Sequence, residues 1–233
     1  MLYFNFMNPY IIYLIYNFIT LFTIYLVFKK KTFIVRYKKL IWIFITIIII
    51  YTQFIRYIYP LIMGTFTTQE SLPFFICRIS ALALLYYMFY PNKRLHPLLF
   101  FWGSTGIFAV FFPNGNIENI ALLNETFFID HYILAVTPFF LIRIQGYKPT
   151  YKQVNYATVA FGIVLVGFIP FNNYLQADYF YLTNQAVLHV LLPGLTSFWF
   201  AIIHTIAVYI VFNAYYFMTL KYQLRQKEES VII

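Results

Sequence analysis

The chain has 233 residues, of which 62% are hydrophobic and only 10% charged, and its mean hydropathy is +0.74. These values exclude the one or two soluble domains that the length alone would suggest, and they are typical of a protein that crosses the membrane several times. A single cysteine excludes an internal disulfide. The formal net charge is +9, and the positions of the basic residues decide whether this charge indicates nucleic-acid binding or membrane topology.

Seven apolar segments follow one another along the chain, each close to the length that a membrane-spanning helix needs. Their unbroken apolar character predicts helices, because the strands of a membrane barrel would alternate polar and apolar residues. We therefore expect an all-α membrane protein, one polytopic domain over residues 1–233 that forms a bundle of seven transmembrane helices. The N-terminus lacks the basic region and the small-residue cleavage site of a signal peptide, so we expect the first segment to be retained as a membrane span. The predicted spans are 9–28, 40–59, 72–90, 97–112, 127–144, 156–171 and 195–220, the fourth and sixth being short.

The basic residues alternate with the predicted spans. Fourteen of the sixteen Lys and Arg residues lie in or beside the first, third and fifth loops or in the C-terminal tail, whereas the other three loops contain none. The positive-inside rule then predicts an outside N-terminus and a cytoplasmic C-terminus in the cell membrane. The basic loops are thus topology signals, and the expected partners are membrane lipids rather than nucleic acid. The sequence does not indicate an oligomeric state.

Two arginines, Arg56 and Arg78, depart from this rule because they lie inside the second and third spans, toward their outer ends. An arginine at mid-depth costs at least about 2.5 kcal/mol, so such a residue normally faces protein, a cavity or a ligand. We expect both guanidinium groups at similar depth in an outward-facing polar pocket.

Cys77, the only cysteine, directly precedes Arg78, and His131 lies at a similar depth near the start of the fifth span. A thiol and an imidazole within reach form a nucleophile–base pair that can attack an acyl carbonyl. Either arginine would favour the thiolate, bind a lipid phosphate or stabilise an oxyanion. Asp130 lies about 100° around the helix from His131 and is a poor orienting partner.

A carboxylate elsewhere, Asp178 or Glu125, is therefore expected to orient the imidazole of His131. The sixth loop also contains Asn173 and Tyr174, and its polar-aromatic character suits a membrane interface or a lid. We assign Asp130, Asn173, Tyr174 and Asp178, with the two arginines, to substrate binding. The apolar stretch 186–194 is too short to span and is predicted to be re-entrant or interfacial.

Structural roles compete with these assignments. A buried lone cysteine is usually an inert small hydrophobe, and a membrane-embedded histidine can serve helix packing alone. His204 is expected to be packed and hydrogen-bonded, and His96 to be exposed on the cytoplasmic side. The small residues in the stretch 102–106 favour close helix contact. No nucleotide-binding or metal-ligand pattern occurs, so neither a cofactor nor a metal is predicted.

Four stretches resemble the YwaF-like family of integral membrane proteins. Leu72–Ala81 resembles its Leu-Pro-x-x-x-Cys element, and Phe127–His131 is similar to its Phe-x-x-x-His element. Phe101–Pro113 is similar to the span between them, and Asp178–Leu182 resembles a later Asn-Tyr-x-x-Leu stretch, with Asp in place of Asn. That family is related to a vertebrate multi-pass phospholipid acyltransferase. The resemblance implies Cys77 as the acyl-accepting nucleophile and His131 as the general base.

The favoured hypothesis is acyl transfer on a lipid or lipid-linked substrate through a thioester at Cys77. One alternative is a non-enzymatic receptor, carrier or assembly factor that binds an anionic ligand in the same pocket. Another is a hydrolase that uses the same pair of residues and releases free fatty acid.

Overall fold

The computed structural model describes residues 9–111, 121–182 and 194–231, and it leaves the side chains of 9–10, 12–13, 121–125 and 227–231 undescribed. Within these ranges the chain is helical and contains no strand. Short 3₁₀ turns occur at Lys93–Leu95 and Tyr179–Tyr181. The α-helices of these ranges are α1 (Pro9–Lys29), α2 (Lys31–Arg36), α3 (Lys38–Ile62), α4 (Ile76–Phe89), α5 (His96–Phe111), α6 (Ala121–Arg143), α7 (Tyr151–Leu175) and α8 (Ser197–Val231).

Each of the seven predicted segments overlaps one of the longer helices, and the short α2 occupies the first loop. Several boundaries differ from the prediction by two or more residues, and two of these differences have a local cause. Helix α4 begins at Ile76, because the preceding residues form a turn in which the Phe74 amide donates to the Leu72 carbonyl at 2.9 Å. Helix α7 is longer than predicted, because Thr150 and Gln153 form a capping box that starts it five residues earlier.

Four stretches of helix are long and apolar enough to cross a membrane: α3, Thr126–Arg143 of α6, α7, and Ser197–Gln226 of α8. Leu14–Lys29 of α1 and helix α4 are shorter apolar helices. The described chain is therefore an all-helical protein suited to a bilayer.

Helix α3 shows the lipid-facing character of the fold most clearly. Large apolar residues such as Leu40 and Phe44 are each 64% exposed on one face, whereas Thr52, Gln53 and Arg56 are buried on the other. A soluble protein would place these side chains the other way round, because apolar surface is costly in water. Facing hydrocarbon, the same arrangement removes polar groups from lipid.

The chain divides into two compact units. The first comprises Met1–Phe66 and Ile76–Tyr147, and the second comprises Thr67–Phe75 and Lys148–Ile233. In the first unit α6 is central and packs against α1, α3, α4 and α5. In the second unit α7 packs against α8.

Helices α5 and α6 approach closely at two glycines, as the small residues of the stretch 102–106 predict. A Cβ atom added to Gly106 would lie 2.9 Å from the His131 carbonyl oxygen, and one added to Gly103 would lie 3.2 Å from that of Leu134. The Leu134 carbonyl lacks its usual helical donor because Pro138 stands four residues later. The prediction of a close helix contact is confirmed, and this contact fixes the backbone of His131.

In the second unit, a buried asparagine fastens the turn that follows α7. The side chain of Asn172 donates to the Tyr179 carbonyl and accepts from the Tyr179 amide, both at 2.9 Å. The Tyr179 hydroxyl donates to the Thr68 carbonyl at 2.6 Å and accepts from the Leu72 amide at 3.2 Å. These bonds tie the segment Thr67–Phe75 to the end of α7 within that unit.

Candidate functional site

A buried polar contact joins α3 to α6 in the first unit. Asp130 accepts hydrogen bonds from the Thr52 hydroxyl at 2.5 Å and from the Gln53 amide at 3.0 Å. The Arg56 guanidinium lies 4.0 Å from the same carboxylate and donates to the Thr126 hydroxyl at 3.1 Å. All five side chains are at least nine-tenths buried, so a charged residue of each sign is enclosed and partnered inside the bundle.

The imidazole of His131 is held by its own helix. Its Nδ1 atom lies 2.7 Å from the Phe127 carbonyl oxygen, which can only accept a hydrogen bond. Nδ1 therefore carries a proton, and in the neutral ring Nε2 is the acceptor. The ring also lies against Phe127, with centroids 4.1 Å apart, so its orientation is fixed by a local contact within one turn of α6.

The thiol of Cys77 meets this histidine from α4. Cys77 is the second residue of that helix, is partly exposed, and its side chain is a hydrogen-bond partner of the His131 side chain. Since Nδ1 is engaged by the backbone, Nε2 is the nitrogen left to accept the thiol proton. The first turn of a helix also presents unpaired N–H groups and the positive end of the dipole, which favour an anion.

Two arginines act electrostatically on this pair. Arg56 on α3 and Arg78, next to Cys77 on α4, both interact electrostatically with the thiol. A thiol in contact with an imidazole and near two guanidinium groups is equipped to act as a nucleophile toward an electrophilic carbonyl. The structure therefore brings a thiol, an imidazole and two guanidinium groups together in one place. We call Thr52, Gln53, Arg56, Tyr57, Cys77, Arg78, Thr126, Asp130 and His131 the polar cluster.

The sequence-predicted site residues fall in both units. Cys77, Arg78, Arg56, Asp130 and His131 all belong to the first unit and to the polar cluster. Asn173, Tyr174 and Asp178 belong to the second unit. The first two of these are exposed in the last turn of α7, and Asp178 directly precedes the 3₁₀ turn Tyr179–Tyr181.

The structure gives the surroundings of three residues about which the sequence made predictions: His131, His96 and His204. The partner at His131 Nδ1 is the Phe127 carbonyl, Asp178 belongs to the second unit, and the side chain of Glu125 lies outside the described residues. His96 is buried and bonded to the Tyr87 hydroxyl at 3.0 Å, so the prediction that it is exposed was wrong. His204 is packed and hydrogen-bonded, as predicted. The stretch 186–194 lies outside the described residues except for Gly194.

Sequence reasoning missed four members of the polar cluster: Thr52, Gln53, Tyr57 and Thr126. A signal existed in α3, where polar side chains at positions 52, 53, 56 and 57 recur with helical spacing in an otherwise apolar run. Thr126 offered no comparable signal, since it stands at the start of the predicted fifth span. In the described residues, no group of three His, Cys, Asp or Glu side chains is placed to hold a metal ion.

The chain belongs to the TMEM164 family, whose model matches residues 3–219. No significant match to the chain is found among the curated proteins or among the solved structures. Membership in this family and the long apolar helices together establish a multi-pass membrane protein.

Proposed function

We propose that this member of the TMEM164 family is an acyltransferase that carries a fatty-acyl group on Cys77 and passes it to a lipid or lipid-linked acceptor. The observation that carries the proposal is the hydrogen bond between the Cys77 and His131 side chains inside the polar cluster. The resemblance of Leu72–Ala81 and Phe127–His131 to the Cys and His elements of the YwaF-like family supports it further.

The proposal includes the membrane arrangement. The chain forms one domain with seven spans in the cell membrane, its N-terminus is outside, and the polar cluster opens toward the outer leaflet. The alternation of basic and non-basic loops supports this orientation. Acyl donors and acceptors that reside in the bilayer then reach the thiol without leaving the membrane.

In the first half-reaction, His131 Nε2 takes the thiol proton and the sulfur bonds to the carbonyl carbon of an acyl ester. The carbonyl electron pair moves onto oxygen and then returns as the ester C–O bond breaks. The departing alcohol takes the proton from His131, which leaves an S-acyl thioester on Cys77. No oxidant or reductant is required.

In the second half-reaction, His131 takes the proton of an acceptor hydroxyl, and that oxygen bonds to the thioester carbonyl carbon. The C–S bond breaks, and the thiolate recovers the proton from His131. The acyl group has then moved from one oxygen to another, and the thiol and imidazole are restored.

Other side chains of the polar cluster are proposed to bind the substrate. Arg56 and Arg78 suit a phosphate group of a glycerophospholipid, because a guanidinium pairs well with phosphate oxygens. Asp130 holds Arg56 in place. We retain Asn173, Tyr174 and Asp178 as substrate-binding residues of the second unit.

The experiment is direct capture of the thioester. The purified chain in nanodiscs is incubated with a phospholipid that carries an isotopically labelled acyl chain, without an acceptor, and its intact mass is measured. The wild-type chain should gain one labelled acyl group that hydroxylamine removes, and Cys77→Ala should gain none. A Cys77→Ser variant that remodels lipids as fast as the wild type would rule out the thioester mechanism.

The role of His131 can be tested against a matched histidine. His204 makes the same local bond, from Nδ1 to the carbonyl of Phe200 four residues earlier, but it lies on α8 in the second unit. Cys77 is the only thiol, so alkylation by iodoacetamide reports on it alone. His131→Ala should slow this alkylation at neutral pH by about tenfold or more, because the thiolate loses its base, whereas His204→Ala should not. Equal rates in both variants would contradict the assignment.

A second candidate is a non-enzymatic protein that binds an anionic ligand in the polar cluster. It is favoured by Arg56, whose buried Nε atom has no hydrogen-bond partner among the described residues. Under this function Cys77→Ala is harmless and Arg78→Ala abolishes ligand binding. Loss of lipid remodelling in Cys77→Ala with ligand binding intact would decide for the enzyme.

A further inference from the structure

The hydroxyl of Tyr57 is buried and has no hydrogen-bond partner in the described part of the chain. Tyr57 lies one residue after Arg56 and four after Gln53, on the polar face of α3. Leaving a buried hydroxyl unpaired costs about 1–3 kcal/mol. Such a hydroxyl is a candidate to form a hydrogen bond with a substrate when the substrate binds.

The position of this hydroxyl relates it to the thiol. Tyr57 interacts electrostatically with Cys77, Arg56, Arg78 and Asp130, so it lies among the charged groups of the polar cluster. Helices α3 and α4 pack together in the first unit, and Tyr57 is in the C-terminal part of α3 while Cys77 is in the first turn of α4. An unpaired donor therefore belongs to the group of side chains that interact with the thiol.

A second unpaired donor belongs to the preceding residue, Arg56, which interacts electrostatically with Tyr57. The Nε atom of Arg56 has no hydrogen-bond partner in the same described ranges, since its distance to Asp130 is 4.0 Å and Thr126 is bonded through Nη2. Arg56 is 7% exposed, so this N–H is held in a protein environment rather than in bulk solvent. Two fixed donors near a nucleophile are what a developing oxyanion requires.

We propose that the Tyr57 hydroxyl, together with Arg56 Nε, donates hydrogen bonds to the oxyanion that forms when the Cys77 sulfur adds to an acyl carbonyl. The inference rests on the proposed acyl transfer and assigns the transition-state stabilisation within it. As the S–C bond forms, the carbonyl π pair moves onto oxygen and accepts these bonds. As the C–O bond to the leaving alcohol breaks, the pair returns and the two donors are released.

The test compares two reactions of the same thiol in the full-length chain in nanodiscs. Acylation of Cys77 by p-nitrophenyl butyrate passes through an oxyanion and releases p-nitrophenolate, which is followed by absorbance, with Cys77→Ala as the background. Alkylation by iodoacetamide displaces iodide and forms no oxyanion. Tyr57→Phe removes only the unpaired hydroxyl and preserves the ring. It should slow acylation on the order of 10²-fold, the typical loss for one oxyanion donor, and leave alkylation unchanged.

Tyr59→Phe is the matched control, since Tyr59 is on the same helix but about 200° around it from Tyr57. It should change neither rate. The inference is overturned if Tyr57→Phe acylates as fast as the wild type, or if both of its reactions slow equally, because the hydroxyl would then act on the thiol itself. Failure of the proposed function gives a different result, namely a wild-type chain that takes no acyl group from phospholipid.

Discussion

Replacing Gly106 by alanine tests whether close packing of α5 on α6 positions the histidine of the site. The new Cβ would lie 2.9 Å from the His131 carbonyl oxygen, 2.9 Å from Leu134 Cβ and 3.0 Å from the Ala135 amide nitrogen. Ordinary contact begins at 3.4 Å, so the helices must separate locally by about 0.5 Å. Two of these atoms belong to the backbone, and they cannot move aside as a flexible side chain would.

The magnitude follows from comparison with a glycine that has free space. A Cβ on Gly167, in the middle of α7, would have no neighbour within 4 Å. Both substitutions gain the same helix propensity of about 0.5–1 kcal/mol, so the difference between them isolates the overpacking at Gly106. We expect Gly106→Ala to be less stable than Gly167→Ala by about 1–3 kcal/mol.

The assay has two readings. Unfolding by sodium dodecyl sulfate in mixed micelles, followed by circular dichroism at 222 nm, gives the difference in the free energy of unfolding. Iodoacetamide alkylation of Cys77 reports on its contact with His131 and should be slower in Gly106→Ala only. If the Gly106 and Gly167 variants unfold together and react at the same rate, α5 does not position His131.

Two further predictions use the same unfolding measurement. Asn172→Ala removes the two buried hydrogen bonds to the Tyr179 backbone and should cost about 2–4 kcal/mol. The exposed neighbour Asn173 should tolerate alanine within about 0.5 kcal/mol, and equal losses in the two variants would show that the Asn172 bonds contribute nothing. Thr52→Val removes the donor 2.5 Å from Asp130 and should cost about 1–3 kcal/mol. Thr137→Val, whose hydroxyl bonds only within its own helix, is the control and should be nearly neutral; a Thr52 variant as stable as this control would contradict the role given to the buried carboxylate.

The helices could be predicted because the bilayer strongly constrains the backbone of a chain that crosses it. A chain in hydrocarbon must satisfy its backbone hydrogen bonds internally, so long apolar runs become helices almost regardless of detail. The ends of the helices depend on local hydrogen bonds, which the hydropathy of the sequence does not show. The capping box at Thr150 extends α7 toward the N-terminus, and the turn at Leu72–Phe74 delays the start of α4.

The site was predictable only in part, for a different reason. Cys77, His131 and the two arginines are conspicuous because thiol, imidazole and guanidinium groups are rare in apolar segments. Tyr57 is not conspicuous in the sequence, because tyrosine is common throughout this chain. Only the packing shows that its hydroxyl has no hydrogen-bond partner among the described residues. The division of the chain into two compact units follows from long-range contacts, which no local pattern encodes.

Three consecutive residues of α6, Asp130–Tyr132, explain how the thiol and the imidazole come together. Asp130 accepts a hydrogen bond from Thr52 on α3 at 2.5 Å, and His131 is hydrogen-bonded to Cys77 on α4. The Tyr132 hydroxyl is hydrogen-bonded to Thr23 on α1 at 2.9 Å. Successive residues of a helix point about 100° apart, so these contacts fix the rotation of α6 from three sides. A rotation by one residue would break all three contacts at once. Asp130 is a poor direct partner for the imidazole. Its hydrogen bond to Thr52 instead helps to hold α6 in the rotation that directs His131 toward Cys77.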